Sequence, residues 1–238
     1  MTKKSNLLAV VSAAAPQKER ARLERDYETV SLPPDPTLPP ADAHRPDTLF
    51  FPVGGALIFR RAYRDAFPDA VESLAERTGM RLILTESPYS PQLGDAALWR
   101  DLLIGRRGAL LPEFTAEAKA AGYTTVPVLE KYSGRACLVC GDALLTSGWG
   151  IHKTLRKRSE NVWFCPAEGI VCSRGHGFLG GAAGEADGTV YFFGDPSSME
   201  YAETLSRFLD HFMLDYVLLD EGHPLTDRGG IRFLKLKE

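Results

Sequence analysis

Thr48-Leu49-Phe50-Phe51-Pro52-Val53-Gly54-Gly55-Ala56-Leu57-Ile58-Phe59 holds two short apolar runs joined by a turn-forming stretch with paired glycines. This pattern predicts two neighbouring strands, Thr48–Phe51 and Ala56–Phe59. Downstream, Phe67, Ala70, Val71, Leu74 and Ala75 fall at i, i+3, i+4, i+7 and i+8, the stripe of a helix with one buried face. Gly79 ends that helix as a C′ residue. Arg81–Thr85 then reads as a buried strand. The segment is one β-β-α-β unit.

The unit recurs. Apolar strand centres at Ala9, Ile58, Leu103, Leu145 and Phe192 are spaced by 49, 45, 42 and 47 residues. Extra strands are expected at Ala96–Trp99, Ala136–Val139 and Phe178-Leu179, each ahead of a central one. Helical stripes follow the central strands: Phe114 and Ala118 after Pro112, Ile151 and Leu155, and Met199 to Phe212. Four complete units fit 48–86, 93–130, 132–167 and 176–220. The N-terminal stretch supplies only β-α-β over 1–32, and the C-terminal 229–238 supplies a lone strand. Pairing the two ends completes a fifth unit and closes a ring, which leaves no exposed sheet edge. The fold class is α/β, in a single domain over 1–238.

Composition narrows the function. In 238 residues, 44% are hydrophobic and 25% charged, which suits a soluble globule with a real core. A formal charge of −3 argues against a nucleic-acid partner. No apolar run approaches the roughly 20 residues of a membrane helix, so no membrane partner is expected. Four cysteines are too few for a disulfide framework here, so the expected setting is the reducing cytoplasm. Lys3 and Lys4 before Leu7–Val11 faintly resemble a secretory leader; a buried strand is the preferred reading.

Five β-β-α-β units closed by the chain ends resemble the pentein fold, the five-bladed α/β propeller of arginine deiminases, dimethylarginine hydrolases and amidinotransferases. Asp47-Thr48-Leu49-Phe50 is similar to the first-blade strand of the dimethylarginine hydrolases, and Gly229-Gly230-Ile231-Arg232 to the glycine-rich entry of their last strand. Gly177 to Gly184 and Tyr191 to Asp195 look closer to an uncharacterised bacterial branch with this fold. The resemblance implies a Cys nucleophile after the last-blade glycines, a third-blade His and acids that hold a guanidinium. This chain departs at each place. Phe233 stands in the nucleophile stretch, and no Cys follows Cys172. Pro52 falls near the second acid, and Tyr132-Ser133-Gly134-Arg135 lacks the His.

No catalytic residue is therefore assigned. The expected ligand-binding residues are Asp47, His44, His176, His223 and Asp227, in segments that a ring would gather at one mouth. Pro33–Pro46 is expected to be an ordered crossover covering that mouth. Cys137-x-x-Cys140 on a strand would point its thiols to opposite faces, so no metal site is expected. Gly180, Gly181 and Gly184 lack the lysine and the strand-loop-helix setting of a phosphate loop and read as a tight hairpin needing positive φ. No cofactor is expected. The preferred reading is a binder of a small polar molecule. The alternatives are a divergent hydrolase or transferase on guanidino or amide substrates, using water activated by a His-Asp pair, and an interaction scaffold.

Overall fold

A computed structural model of the chain describes residues 5–86, 96–173 and 175–238. Lys3 and Lys4, and the first residues of the unit expected at 93–130, lie outside them. The chain opens with β1 (Leu7–Val11), α1 (Gln17–Leu23) and β2 (Glu28–Ser31). β1 is almost wholly buried and pairs in parallel with β2.

A crossover then leads to the one-turn helix α2 (Pro46–Leu49) and the hairpin β3 (Phe50–Val53) and β4 (Ala56–Arg60). Gly54 and Gly55 both have positive φ, +58° and +78°, which turns the chain in the sense of the strand twist. α3 (Arg61–Ala66) and α4 (Pro68–Thr78) return the chain to β5 (Arg81–Thr85), parallel to β4. Val71 and Leu74 of the predicted stripe are buried, and Gly79 caps α4 at φ +66°.

Three more sheets repeat this order. β6 (Ala96–Trp99) and β7 (Leu102–Arg106) form a hairpin, and α5 (Pro112–Ala120) leads to β8 (Thr124–Val128). α6 (Ser133–Ala136) precedes β9 (Cys137–Cys140) and β10 (Ala143–Thr146), with α7 (Trp149–Leu155) before β11 (Val162–Phe164). A two-stranded ribbon follows, β12 (Val171–Cys172) and β13 (Gly175–His176). The last unit is α8 (Leu179–Ala182), β14 (Ala183–Ala186), β15 (Thr189–Phe192), α9 (Ala202–His211) and β16 (Asp215–Leu218). Finally β17 (Arg232–Lys235) pairs antiparallel with β1, Ala9 opposite Phe233.

Among the described residues there are thus five three-stranded sheets, each with an antiparallel leading strand, a central strand and a parallel third strand. The leading strands are β17, β3, β6, β9 and β14. The expected leading strands begin too early in three sheets. Leu49, Ala136 and Leu179 end or start one-turn helices instead, and the strands follow them. Short apolar runs do not distinguish a helical turn from a strand start.

The core is built between sheets. Cys137 faces one apolar cluster, with Leu144 and Ile151, and Cys140 the next, with Leu145 and Phe192. This is the expected opposition of i and i+3 on a strand. No helix among the described residues is long and apolar enough to cross a membrane.

Candidate functional site

The crossover carries the first charged groups. It is ordered and pinned to the first hairpin: Tyr63 Oη donates to the Pro33 carbonyl at 2.7 Å, and the Arg60 guanidinium pairs with Asp35. Thr48 Oγ1 donates to the carbonyls of Asp42 and Arg45, fixing the entry to α2. Arg45 and Asp47 are then held side by side.

The structure joins two of the predicted residues through a third that the sequence reading missed. Arg45 reaches Asp47 with Nε at 3.2 Å and Nη2 at 3.0 Å. The same Nη2 donates to Asp227 Oδ1 at 2.7 Å, across 182 positions of sequence. Arg135, from α6, places Nε 2.9 Å from Asp47 Oδ2 and Nη1 3.8 Å from Asp42. Asp227 also accepts backbone N–H bonds from Phe178 and Gly229. Arg45, Asp47 and Asp227 are all buried.

Glycines make this closure sterically possible. A Cβ on Gly181 would stand 2.0 Å from Asp227 Oδ1, and one on Gly229 2.6 Å from the Arg45 Cβ. Gly180, Gly181 and Gly184 do not have positive φ. Their predicted role as a strained hairpin is corrected: they are small because backbone and carboxylate press against them. The tight turn falls later, at Asp187 and Gly188.

The histidines do not join this cluster. His223 is exposed, and its Nδ1 lies 2.9 Å from Asp220, not from the Asp227 expected beside it. His176 lies on β13 rather than in a loop, opposite Val171, and lines a separate cavity with Glu168 and Tyr201. His44 neighbours Arg45, and burial followed by that guanidinium lowers its affinity for a proton.

Beside the ionic cluster lies a cavity of about 250 Å³. All five leading strands contribute to its wall, through Phe51, Ala97, Leu138, Gly184 and Arg232 among others. Pro52, Cys137 and Phe233 line it too. Phe233 is locked by Tyr27 and Tyr191, with ring centroids at 4.8 and 5.8 Å. Burial pushes the Cys137 thiol up to about 12, so it stays protonated near neutral pH and is a poor nucleophile.

Each charged group has a distinct electrostatic setting. Burial alone would raise the Asp47 carboxyl, but Arg135 and then Arg45 outweigh it and hold it well below the usual carboxylate range. Asp227 is raised, first by burial, with Arg45 opposing and Asp47 adding to the rise. Arg232 is lowered by burial; Asp47 attracts its charge while Arg135 and Arg45 repel it. Its Nε is buried and without a hydrogen-bond partner, and it makes no ion pair among the described residues.

The chain matches a family model over residues 10–232, nearly its whole length. It belongs to the family of unknown function DUF6873. No curated protein matches. Solved structures do. A dimethylarginine dimethylaminohydrolase from Pseudomonas aeruginosa, a mutant complexed with citrulline, superposes with a TM-score of 0.62 at 15% identity, covering 90% of this chain and 91% of its own. The inosamine-phosphate amidinotransferase of Streptomyces griseus gives 0.58 at 15% identity, covering 92% and 78%. An amidinotransferase of the saxitoxin biosynthetic pathway from Microseira wollei gives 0.55 at 10% identity, covering 92% and 79%. This family member has the mixed α/β fold of the pentein hydrolases and amidinotransferases. A shared fold does not carry activity with it.

Arg45, Arg135 and Arg232 are the site residues that sequence reading passed over. The available signal was local: Asp47 and Arg135 occupy the one-turn helices just ahead of leading strands. The expected strands begin at Thr48 and Ala136, one residue after each of these side chains, which left both outside any element.

Proposed function

We propose that this chain binds a small polar ligand in the cavity between its leading strands, without the Cys-dependent guanidine chemistry of the enzymes that share its fold. The five sheets are read as blades of one propeller over 1–238, closed by β1 and β17, so that the cavity lies on its axis. The carrying observation is Phe233. It occupies the stretch where the resemblance calls for the nucleophile, and two aromatic rings hold it there. Cys137, the cysteine in the wall, is a buried thiol that donates to Thr146 Oγ1 at 3.7 Å. Asp47, which would face a guanidinium in the hydrolases, is already occupied by two arginines of this chain. In this reading Asp47 and Asp227 serve the ligand by ordering the cavity wall, while His44, His176 and His223 do not line it.

A thermal-shift screen of the full chain against guanidino compounds, amino acids and small carboxylates, with product analysis, tests this. A ligand at 100 times its Kd adds about 2.7 kcal/mol, and each kcal/mol moves the midpoint by roughly 2–4 °C at this size. A shift without turnover supports the reading. Turnover of a guanidino compound overturns it, and no shift from any class leaves the ring as a scaffold.

A further inference from the structure

Arg232 is the arginine in the cavity wall, and it is treated unlike its neighbours. Arg45 is shared by Asp47 and Asp227, and Arg135 by Asp47 and Asp42. Arg232 has neither a hydrogen bond nor an ion pair among the described residues, and its Nε is sealed from solvent. A half-buried guanidinium with a sealed, unpartnered Nε is costly, and a fold keeps one only where something else recovers the cost.

The acid nearest in effect, Asp47, cannot be that partner, because Arg45 takes both of its oxygens and Arg135 one of them. Glu185 lines the same cavity but caps hairpin ends, accepting from the Gly188 N–H at 2.8 Å and the Gly141 N–H at 3.3 Å. The wall therefore offers one open cation, one engaged carboxylate and apolar surface from Ala97, Leu98, Val139 and Phe233. A guanidinium matches a carboxylate through two parallel N–H bonds. A single negative charge balances Arg232, whereas a dianion would also face Glu185. A cationic ligand would meet Arg232 head-on.

We propose that the ligand of this cavity is a small monocarboxylate with a short apolar tail, its carboxylate paired to the Arg232 guanidinium. The inference rests on the reading of the cavity as the binding site and reverses the charge preference that the fold resemblance suggests.

The test is calorimetry and thermal shift on the full chain with four probes of one size class: butyrate, butyramide, butylammonium and inorganic phosphate. Butyrate is expected to bind in preference to the other three. Arg232→Gln is expected to weaken it roughly 10- to 150-fold, the equilibrium weight of a hydrogen bond to a charged group. Arg232→Lys, which keeps the charge and loses the fork, is expected to fall between. Equal butyrate binding by wild type and Arg232→Gln overturns the proposal, as does tighter binding of butylammonium, butyramide or phosphate. If butyrate fails while a guanidino compound or neutral ligand binds, the charge assignment falls and the cavity reading stands. If every probe and every member of the wider screen fails, both fall.

Discussion

Arg45, fully buried, and Arg232, half-buried, are both guanidinium groups under the influence of Asp47, and the fold handles them in opposite ways. Arg45 sits in a cluster whose partners come from three distant segments: the crossover, α6 and the loop ahead of β17. Arg232, only five residues beyond Asp227, has no such provision. The two thus separate a charge that holds the structure together from one left open toward a cavity. Residue type is the same in both, but Arg45 is fully buried and Arg232 half-buried in a cavity wall; what differs is whether the partner is covalently part of the chain.

Removing residues 232–238 tests the frame that holds both arginines. It deletes the Arg232 wall and the strand paired with β1. The expected result is loss of cooperative unfolding altogether, seen by circular dichroism on heating. A truncated chain melting at the wild-type temperature would refute closure of the ring.

Asp47→Ala addresses the satisfied side. It leaves Arg45 with Asp227 alone and Arg135 with Asp42 at 3.8 Å, and breaking such a buried pair costs about 3–5 kcal/mol. Urea denaturation of the purified variant measures this. A loss under about 1 kcal/mol would place Asp47 outside the framework and erase the contrast.

The two acids of the cluster sharpen it through pH. The folded Asp47 carboxyl lies below its unfolded value, so its stabilisation is present above the unfolded value and lost as pH falls toward the folded one. Asp227 lies above its unfolded value, so its ionisation weakens the fold as pH rises through that raised value. Asp47→Asn should therefore flatten the stability loss on acidification below pH ~4. Asp227→Asn should be milder, costing about 1–3 kcal/mol for lost backbone bonds, and should steepen that loss. Matching pH profiles for the two variants would contradict the assignment.

Arg232→Leu carries the smallest effect and the opposite sign. Replacing an unpaired, half-buried charge with an apolar side chain of similar reach should stabilise the ligand-free chain by up to about 1 kcal/mol, read as a raised Tm. A drop of several degrees would mean that Arg232 belongs to the framework after all.

Much of the fold was legible. The spacing of central strands, the helix stripe ending at Gly79 and the lone strand at the C-terminus all follow from periodicities of local apolar text, and local text is what secondary structure obeys. The one-turn helices at Pro46–Leu49, Ser133–Ala136 and Leu179–Ala182 were not, because four residues are too few for a period to declare itself. Asp47 and Asp227 were singled out, but Arg45, which joins them, lies two positions from one and 182 from the other.

By itself, the sequence determined the repeated unit, the meeting of the chain ends and the opposition of Cys137 and Cys140. Only the tertiary structure decided which charges are satisfied. A salt bridge depends on distance through space and on the water excluded from it, and glycines from two distant stretches set both here: Gly177 and Gly181 from one and Gly229 from the other let backbone close over Asp227 and Arg45. Arg232 reads like any other arginine until the sheets assemble and leave it in the wall of a cavity where, among the described residues, no carboxylate pairs with it.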